Sequence, residues 1–238
     1  EWQAEWDNSG LQAGEPNAEI AAVLLTVDVT EAVMQEAIDR HCDLIISHHP
    51  LLFHGLKHLT GATPQERCLW LAVTHHIAIY SAHTNMDAYV HGVSGQMAER
   101  IGVTDYRVLA GEEHGLGVIG SLPEPVSFES LLTTVKQVFG APYLRYIKPP
   151  RPLVRTIALC GGAGSDLVET AIAQQAEVYI TADWKYHELQ AVEGRIGAID
   201  MDHWISEQFT RDVFQALLSG KVTTLVSTAD RSPVMVSN

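Results

Sequence analysis

Ser47-His48-His49-Pro50 sets two imidazoles side by side immediately before a proline. Successive residues of a strand face opposite sides, so both rings can serve one site only where the strand has broken into a loop. Pro50 imposes that extended, non-helical backbone. Neighbouring imidazoles there could each reach a different metal ion; a pair of surface or core histidines is the plain alternative. In Ala82-His83-Thr84-Asn85-Met86-Asp87, an imidazole and a carboxylate stand four residues apart. A carboxylate can bridge two cations through its two oxygens, which suits hard divalent ions, but Asp87 reads equally well as a turn or helix cap. His203 and Glu207 fall at i and i+4, on one helix face, where two side chains can meet one ion. A surface His–Glu pair is the alternative, and Asp202 reads as the N-cap of that helix. HExxH is absent, so a metalloprotease is not supported.

Other chemistry-bearing patterns are weaker. Gly161-Gly162-Ala163-Gly164 lies between a strand and a helix, where backbone amides can hold an anion. No Lys-Ser/Thr follows it, the dinucleotide fingerprint is missing, and Asp166 would compete with an anion. A tight turn is the simpler reading. Cys42, Cys68 and Cys160 sit in apolar surroundings without CxxC spacing and read as buried thiols of a reducing compartment, which places the chain in the cytoplasm. No GxSxG elbow occurs, so a Ser-His-Asp triad is not proposed.

The elements that must position these residues alternate strand and helix. Apolar runs at 21–28, 44–48, 77–83, 155–160, 177–181 and 196–200 read as strands, with shorter ones near 106–110, 117–121, 143–147 and 222–227. Helices are predicted from Thr30 to about His41, over 65–76, 92–101, 128–139 (capped by Ser127), 166–175, 184–191 and 203–218. This is an α/β chain with mixed, mostly parallel sheets. The Gly-rich stretch 111–117 reads as a joint between an N-terminal lobe, 1–112, and a C-terminal lobe, 113–238. In parallel α/β sheets ligands bind beyond the carboxyl ends of strands. His48, His83 with Asp87, and Asp200 to His203 all lie just past such ends, so three strands deliver His or Asp to what could be one crevice.

Composition narrows the partners. The 238 residues carry 15 Lys+Arg against 29 Asp+Glu, a formal charge of −14, which argues against nucleic acid and against an anionic membrane surface. No apolar run is long enough to span a bilayer. Of 12 histidines, nine (41, 48, 49, 54, 58, 75, 76, 83 and 91) crowd into one stretch, which suggests a metal site. The chain opens without Met on Trp6-Asp7-Asn8-Ser9-Gly10, a loop reached from something upstream, so an N-terminal segment is expected to precede residue 1.

Taken in order, Trp6-Asp7-Asn8-Ser9-Gly10-Leu11-Gln12, SHHPLLFHGLK (47–57), SAHTNMDA (81–88), ALCGGAGSDLVE (158–169), VYITADWKYHE (178–188) and DHWISE (202–207) resemble the Nif-three-like dinuclear-metal-centre family, whose members are also described as GTP cyclohydrolase I type 2 homologues. The resemblance spans about residues 6 to 210. It implies two α/β lobes with a metal cleft between them and a toroidal homohexamer, a trimer of dimers, in the short form without an inserted domain. It also implies two divalent ions: His48 and His49 each on one metal, Asp87 on the metal of His49, His203 on the other, and Glu207 bridging both. Two positions depart from the family pattern, Asp202 where Gly is usual and Ala182 in place of the Gly of Thr-Gly-Asp. The first would add a carboxylate beside the metals and the second removes backbone freedom near the cleft.

Mixed N/O ligation suits Zn, Fe, Mn or Ni without selecting among them. Five protein ligands leave open positions for water, whose pKa a metal can lower to near 7. The resulting expectation is a metal-dependent hydrolase acting on a small molecule, a nucleotide, by opening a purine ring. His83, Lys185 and His187 are candidates for orienting ligands, contacting substrate or moving a proton. The alternative is a non-catalytic metal-binding protein or metallochaperone, since open coordination serves ion exchange as well as catalysis.

Overall fold

A computed structural model describes residues 2–237. The first strand, β1 (Gly10–Ala13), falls where the pattern gave only a loop; β2 (Ala22–Thr26) is the expected apolar run, with Leu24 and Leu25 fully buried. Helix α1 (Glu31–Asp39) starts at Thr30, whose hydroxyl accepts the Val33 amide at 3.2 Å, and turns Val33, Met34 and Ala37 inward. After β3 (Leu44–Ser47), α2 (Pro64–Thr74) is capped by Thr63, with Pro64 in its first turn where no amide is needed. Strand β4 (Ala78–Ser81), the single turn α3 (Thr84–Asp87) and α4 (Val93–Arg100) follow. Next come β5 (Thr104–Gly111), β6 (Gly115–Ser127), α5 (Phe128–Phe139), β7 (Arg145–Ile147) and β8 (Leu153–Ala163). A 3₁₀ turn (Ser165–Leu167) leads to α6 (Val168–Ala173), β9 (Val178–Ala182), α7 (Tyr186–Val192) and β10 (Gly197–Met201). The chain closes with α8 (His203–Glu207), α9 (Thr210–Leu218) and β11 (Thr223–Val226).

Two helices differ from expectation. The stretch 203–218 is two helices, broken at Gln208–Phe209, where the Gln208 side-chain amide donates to the carbonyls of Ile205 (3.0 Å) and Phe139 (2.9 Å). The stretch 166–175 is a 3₁₀ turn and a short α-helix ending before Gln174.

The strands form two mixed sheets. One, in the order β1-β4-β3-β2-β11, is parallel except for the edge strand β1. The other runs β5-β6-β8-β9-β10-β7, and only the β8–β9 and β9–β10 pairings are parallel. Its remaining three pairings are antiparallel, so this sheet departs from the mostly parallel expectation. The cause lies partly in the Gly-rich stretch expected to join two lobes: it is a hairpin turn. Gly111 pairs with Gly115, and a Cβ at Gly115 would collide with the Ala110 carbonyl. Pro123 and Pro125, which lack an amide, coincide with the register shift between Ser121 and Val126.

The chain therefore does not divide at residue 112. One compact unit runs to Met86 and also takes in Thr210–Arg231; the other comprises Asp87–Phe209 and the residues from Ser232 onward. The reason is sheet pairing: β11 returns to lie parallel to β2, Thr224 against Val23 and Leu225 against Leu24. In the first unit Leu24, Met34, Ile45 and Ile79 form one core. In the second, the sheet is packed on both faces, against Phe128, Leu131 and Val135 on one side and around Tyr179, Trp184 and Ile196 on the other.

Glu36 of α1 secures the returning segment. Its carboxylate accepts from Ser227 Oγ (2.6 Å), the amides of Thr228 (3.0 Å) and Ala229 (3.0 Å), and Arg40 (2.7 Å). Burial alone would raise its pKa, but these donors hold it down at about 2. A carboxylate with a lowered folded-state pKa stabilises the fold above its unfolded pKa, and that contribution is lost as pH falls toward the folded value. We expect Glu36→Gln to lower unfolding free energy at pH 7 by about 2 kcal/mol. Its deficit against wild type should shrink steadily from about pH 5 to about pH 2. Denaturant unfolding across that range checks this, and a deficit independent of pH would contradict it.

Candidate metal centre

Strand register dictates which side chains meet in the first unit. Thr26, Ser47 and Ser81 lie in line across β2, β3 and β4, so the residues that follow, 27–28, 48–49 and 82–83, emerge together at the carboxyl end of these strands. Strand β3 ends at Ser47, and the break expected before Pro50 is held by the His48 and His49 amides donating to the carbonyls of Thr26 (3.2 Å) and Val27 (2.9 Å). Ser47 Oγ closes the turn on the His49 carbonyl at 2.7 Å. Both rings thereby turn toward one place. The centroids of His48 and His49 are 5.0 Å apart, and His83 stands 5.3 and 5.5 Å from them. Each of the three offers a ligand nitrogen, all within 4.8 Å of one another, so the group could hold a metal ion.

Each imidazole is held by an oxygen at Nδ1: the Ala82 carbonyl on His48 (3.0 Å), Asp28 on His49 (2.8 Å) and Asp7 on His83 (2.8 Å). A carbonyl oxygen only accepts, and an ionised carboxylate only accepts, so Nδ1 carries a proton, and in the neutral ring Nε2 carries the lone pair. This is the arrangement in which histidine serves as a metal ligand. Asp7 is itself tightly held. Burial works to raise its pKa, but donors from Thr84, Ser9 and His83 keep its carboxyl well below the usual range. Burial, with the adjacent His48 and His49, keeps His83 below the ordinary imidazole pKa against the opposing pull of Asp7.

In the second unit the same logic recurs. Met201 pairs with Ala182, so Asp183, just beyond β9, stands beside the start of α8. Its carboxylate accepts from His203 Nδ1 at 2.7 Å, and Asp183 adopts a left-handed backbone (φ 59°) to do so. His203 Nε2 then faces Glu207 Oε2 at 3.3 Å. Two donors on one tetrahedral ion with bonds of ~2.0–2.1 Å stand ~3.3 Å apart, so this pair fits a shared metal. The Glu207 side chain is 4% exposed, and its place is kept open by Gly162. Gly162 has φ +62°; a Cβ there would collide with Glu207 Oε1 and lie 3.3 Å from His203 Cε1. Its amide donates to Ser206 Oγ (2.9 Å) and its carbonyl accepts from Thr181 Oγ1 (2.9 Å). The glycine run thus makes room for a carboxylate. Asp87 ends α3, and with Glu207 it lies near enough to Cys160 to reinforce what burial does first, holding that thiol protonated.

The remaining sequence candidates make other contacts. Lys185 is 83% exposed, 3.8 Å from Glu188, and His187 on exposed α7 lies 3.3 Å from Gln190. Asp202 is the N-cap of α8: one oxygen accepts the Ile205 amide (3.1 Å) and the other the Ser232 hydroxyl (2.9 Å). Ala182 is fully buried in β9. Asp28 and Asp183, which hold His49 and His203, are the residues of this candidate site that sequence reasoning passed over. Each is the acid just past the carboxyl end of a parallel strand, the position already used to single out His48 and His83.

Two α/β units presenting imidazoles and buried carboxylates at the carboxyl ends of parallel strands describe a protein with His/Glu groups able to hold metal ions. The chain belongs to the Duf34/NIF3 (NGG1p interacting factor 3) family, which it matches over residues 1–233. It is 38% identical over 224 residues to a Lactococcus lactis protein named GTP cyclohydrolase 1 type 2 homolog, covering 92% of this chain and 86% of that one. A Streptococcus pneumoniae protein of the same name is 35% identical over 227 residues, covering 92% and 84%. A Bacillus cereus protein related to NIF3 shares the fold, with a TM-score of 0.90 at 23% identity over 99% of this chain and 94% of that one. No described helix is long and apolar enough to cross a membrane.

The close approach at Gly162 gives a direct test. Gly162→Ala must push the Glu207 carboxylate aside or strain the backbone by about 1 kcal/mol. The expected outcome is a folded protein by circular dichroism whose affinity for divalent metal falls at least about tenfold. Unchanged affinity would show that Glu207 has no such role.

Proposed function

We propose that His48, His49, Asp87, His203 and Glu207 hold two divalent ions, and that the protein is a metal-dependent hydrolase of the GTP cyclohydrolase I type 2 kind. The observation that carries this reading is the engagement of Nδ1 within one cluster of imidazoles and carboxylates: His48, His49, His83 and His203 each have an oxygen at Nδ1, which in the neutral ring makes Nε2 the atom able to ligate a metal. Bound ions would supply Lewis acidity and lower the pKa of water from 15.7 toward about 7, as required to open a purine ring at neutral pH.

The chain's own residues have definite tasks in this reading. Asp28 and Asp183 fix the tautomers of His49 and His203 and raise their basicity. The buried Glu207 supplies charge that offsets a cation. His83, in van der Waals reach of the other two rings, is placed to orient a reactant. The name carried by the Lactococcus relative supports GTP as the first nucleotide to examine. We further propose a cytoplasmic homohexamer, a trimer of dimers, that binds neither nucleic acid nor membrane. The second reading, a metal-storing or metal-delivering protein, is favoured by the 35% exposure of the His203 side chain, which leaves one ligand open to exchange.

Metal analysis of the purified protein followed by a nucleotide panel separates these. Wild type should carry about two divalent ions per chain, and the double variant His48→Ala, Glu207→Ala less than one. GTP turnover should depend on Glu207. Turnover no greater than that of Glu207→Ala, with metal present in wild type, assigns the binding-protein reading; absence of metal from wild type removes both.

A further inference from the structure

The motif Trp6-Asp7 is not accounted for by metal binding. Asp7 orients His83, but Trp6 is 68% exposed, a large apolar surface left in water beside the imidazole cluster. It is held there firmly. The Ala4 amide donates to Thr84 Oγ1 (2.9 Å) and the Asp7 amide to the Ala4 carbonyl (3.0 Å). The fully buried Asp7 carboxylate takes donors from Ser9 (2.7 Å), Thr84 Oγ1 (2.6 Å) and the Thr84 amide (3.1 Å). Trp6 therefore sits between two pinned positions, close to His83 at 5.9 Å between centroids and 75° between planes. Phe53, 38% exposed, stands against the same imidazole at 5.5 Å and 86°. Two rings thus meet one imidazole near perpendicular, and both keep substantial surface open to solvent.

We infer that Trp6 and Phe53 form an aromatic wall that binds a planar heteroaromatic ring of the small-molecule ligand next to His83. The shape and chemistry select this class. An open aromatic face is covered best by a flat, polarisable ring in offset or edge-to-face contact. A phosphate gains little from it, and the chain's acidic balance offers an isolated phosphate little attraction. The inference rests on the metal-site reading above and adds to it the part of the ligand that the ring wall recognises.

The test uses the full chain loaded with Zn²⁺, with guanosine, pterin and nicotinamide as planar probes and ribose 5-phosphate as the non-aromatic control. Binding is measured by calorimetry and metal content is counted in the same samples. We expect at least one planar probe to bind. Trp6→Ala and Phe53→Ala should each weaken it about tenfold, and Trp6→Phe should hold it within about threefold, all with metal content unchanged. The inference is overturned if no planar probe binds, if both alanine variants bind as wild type does, or if ribose 5-phosphate binds as well as the rings. It is also overturned if Trp6→Ala loses its metal, which would make Trp6 a packing support for the imidazoles. A wild-type protein that takes up no metal instead removes the metal-site reading, and this inference with it.

Discussion

An oxygen at Nδ1 of each candidate histidine is the constraint on which the rest depends. An imidazole left to itself tautomerises and rotates, and a ring that does so presents a donor or an acceptor at random to any ligand. Here the Ala82 carbonyl and the carboxylates of Asp28, Asp7 and Asp183 settle the question at distances of 2.7 to 3.0 Å. Three of these oxygens are in turn placed by strand register, and Asp7 by its bonds to Ser9 and Thr84. Ala82 follows Ser81, which pairs with Ser47; Asp28 follows Thr26, which pairs with the same serine; Asp183 follows Ala182, which pairs with Met201. The sheets thus act as rulers, and sliding one of these strands by a residue would displace the orienting oxygen that follows it.

The next layer holds the rulers' ends. Asp230, whose side chain is fully buried, accepts the Val27 amide at 2.7 Å and meets Arg211 at 3.4 Å, so the turn that carries Asp28 is tied to the returning C-terminal segment. Glu36 ties the same segment to α1 through Ser227, Thr228 and Ala229. In the other unit Asp202 caps the helix bearing His203 and Glu207, and Ser232 bonds the capping carboxylate. With both its oxygens so engaged, Asp202 serves the helix that carries His203 and Glu207, where its position in the sequence suggested an extra carboxylate for the metals.

Much of this was legible in the sequence. The apolar runs located β2, β3, β4, β9 and β10, and Thr30, Ser127 and Asp202 marked helix starts that the structure keeps. What escaped was what depends on long-range pairing. Gly111 and Gly115 carry the same local signal in a hairpin as in a linker, and only the antiparallel partner tells them apart. The return of β11 to β2 across most of the chain's length has no local signature at all. Among site residues, the ligand candidates announced themselves by type and spacing. Asp28 and Asp183 did not, because a single acid after a strand is common; their partners, 21 and 20 residues away, become neighbours only through sheet register. Gly162 looked like a turn residue, and the carboxylate it makes room for lies 45 residues further along the chain.

The central claim is that imidazole nitrogen and carboxylate oxygen, oriented in this way, are the metal ligands. Cys160 supplies the sharpest alternative, since its thiol lies near Asp87 and Glu207 although burial keeps it protonated. X-ray absorption at the metal edge of the loaded protein distinguishes the two directly. The account predicts a shell of nitrogen and oxygen at ~2.0–2.2 Å with the outer-shell scattering of imidazole rings and no sulfur. A sulfur shell at ~2.3 Å, or a spectrum without imidazole scattering, would contradict it.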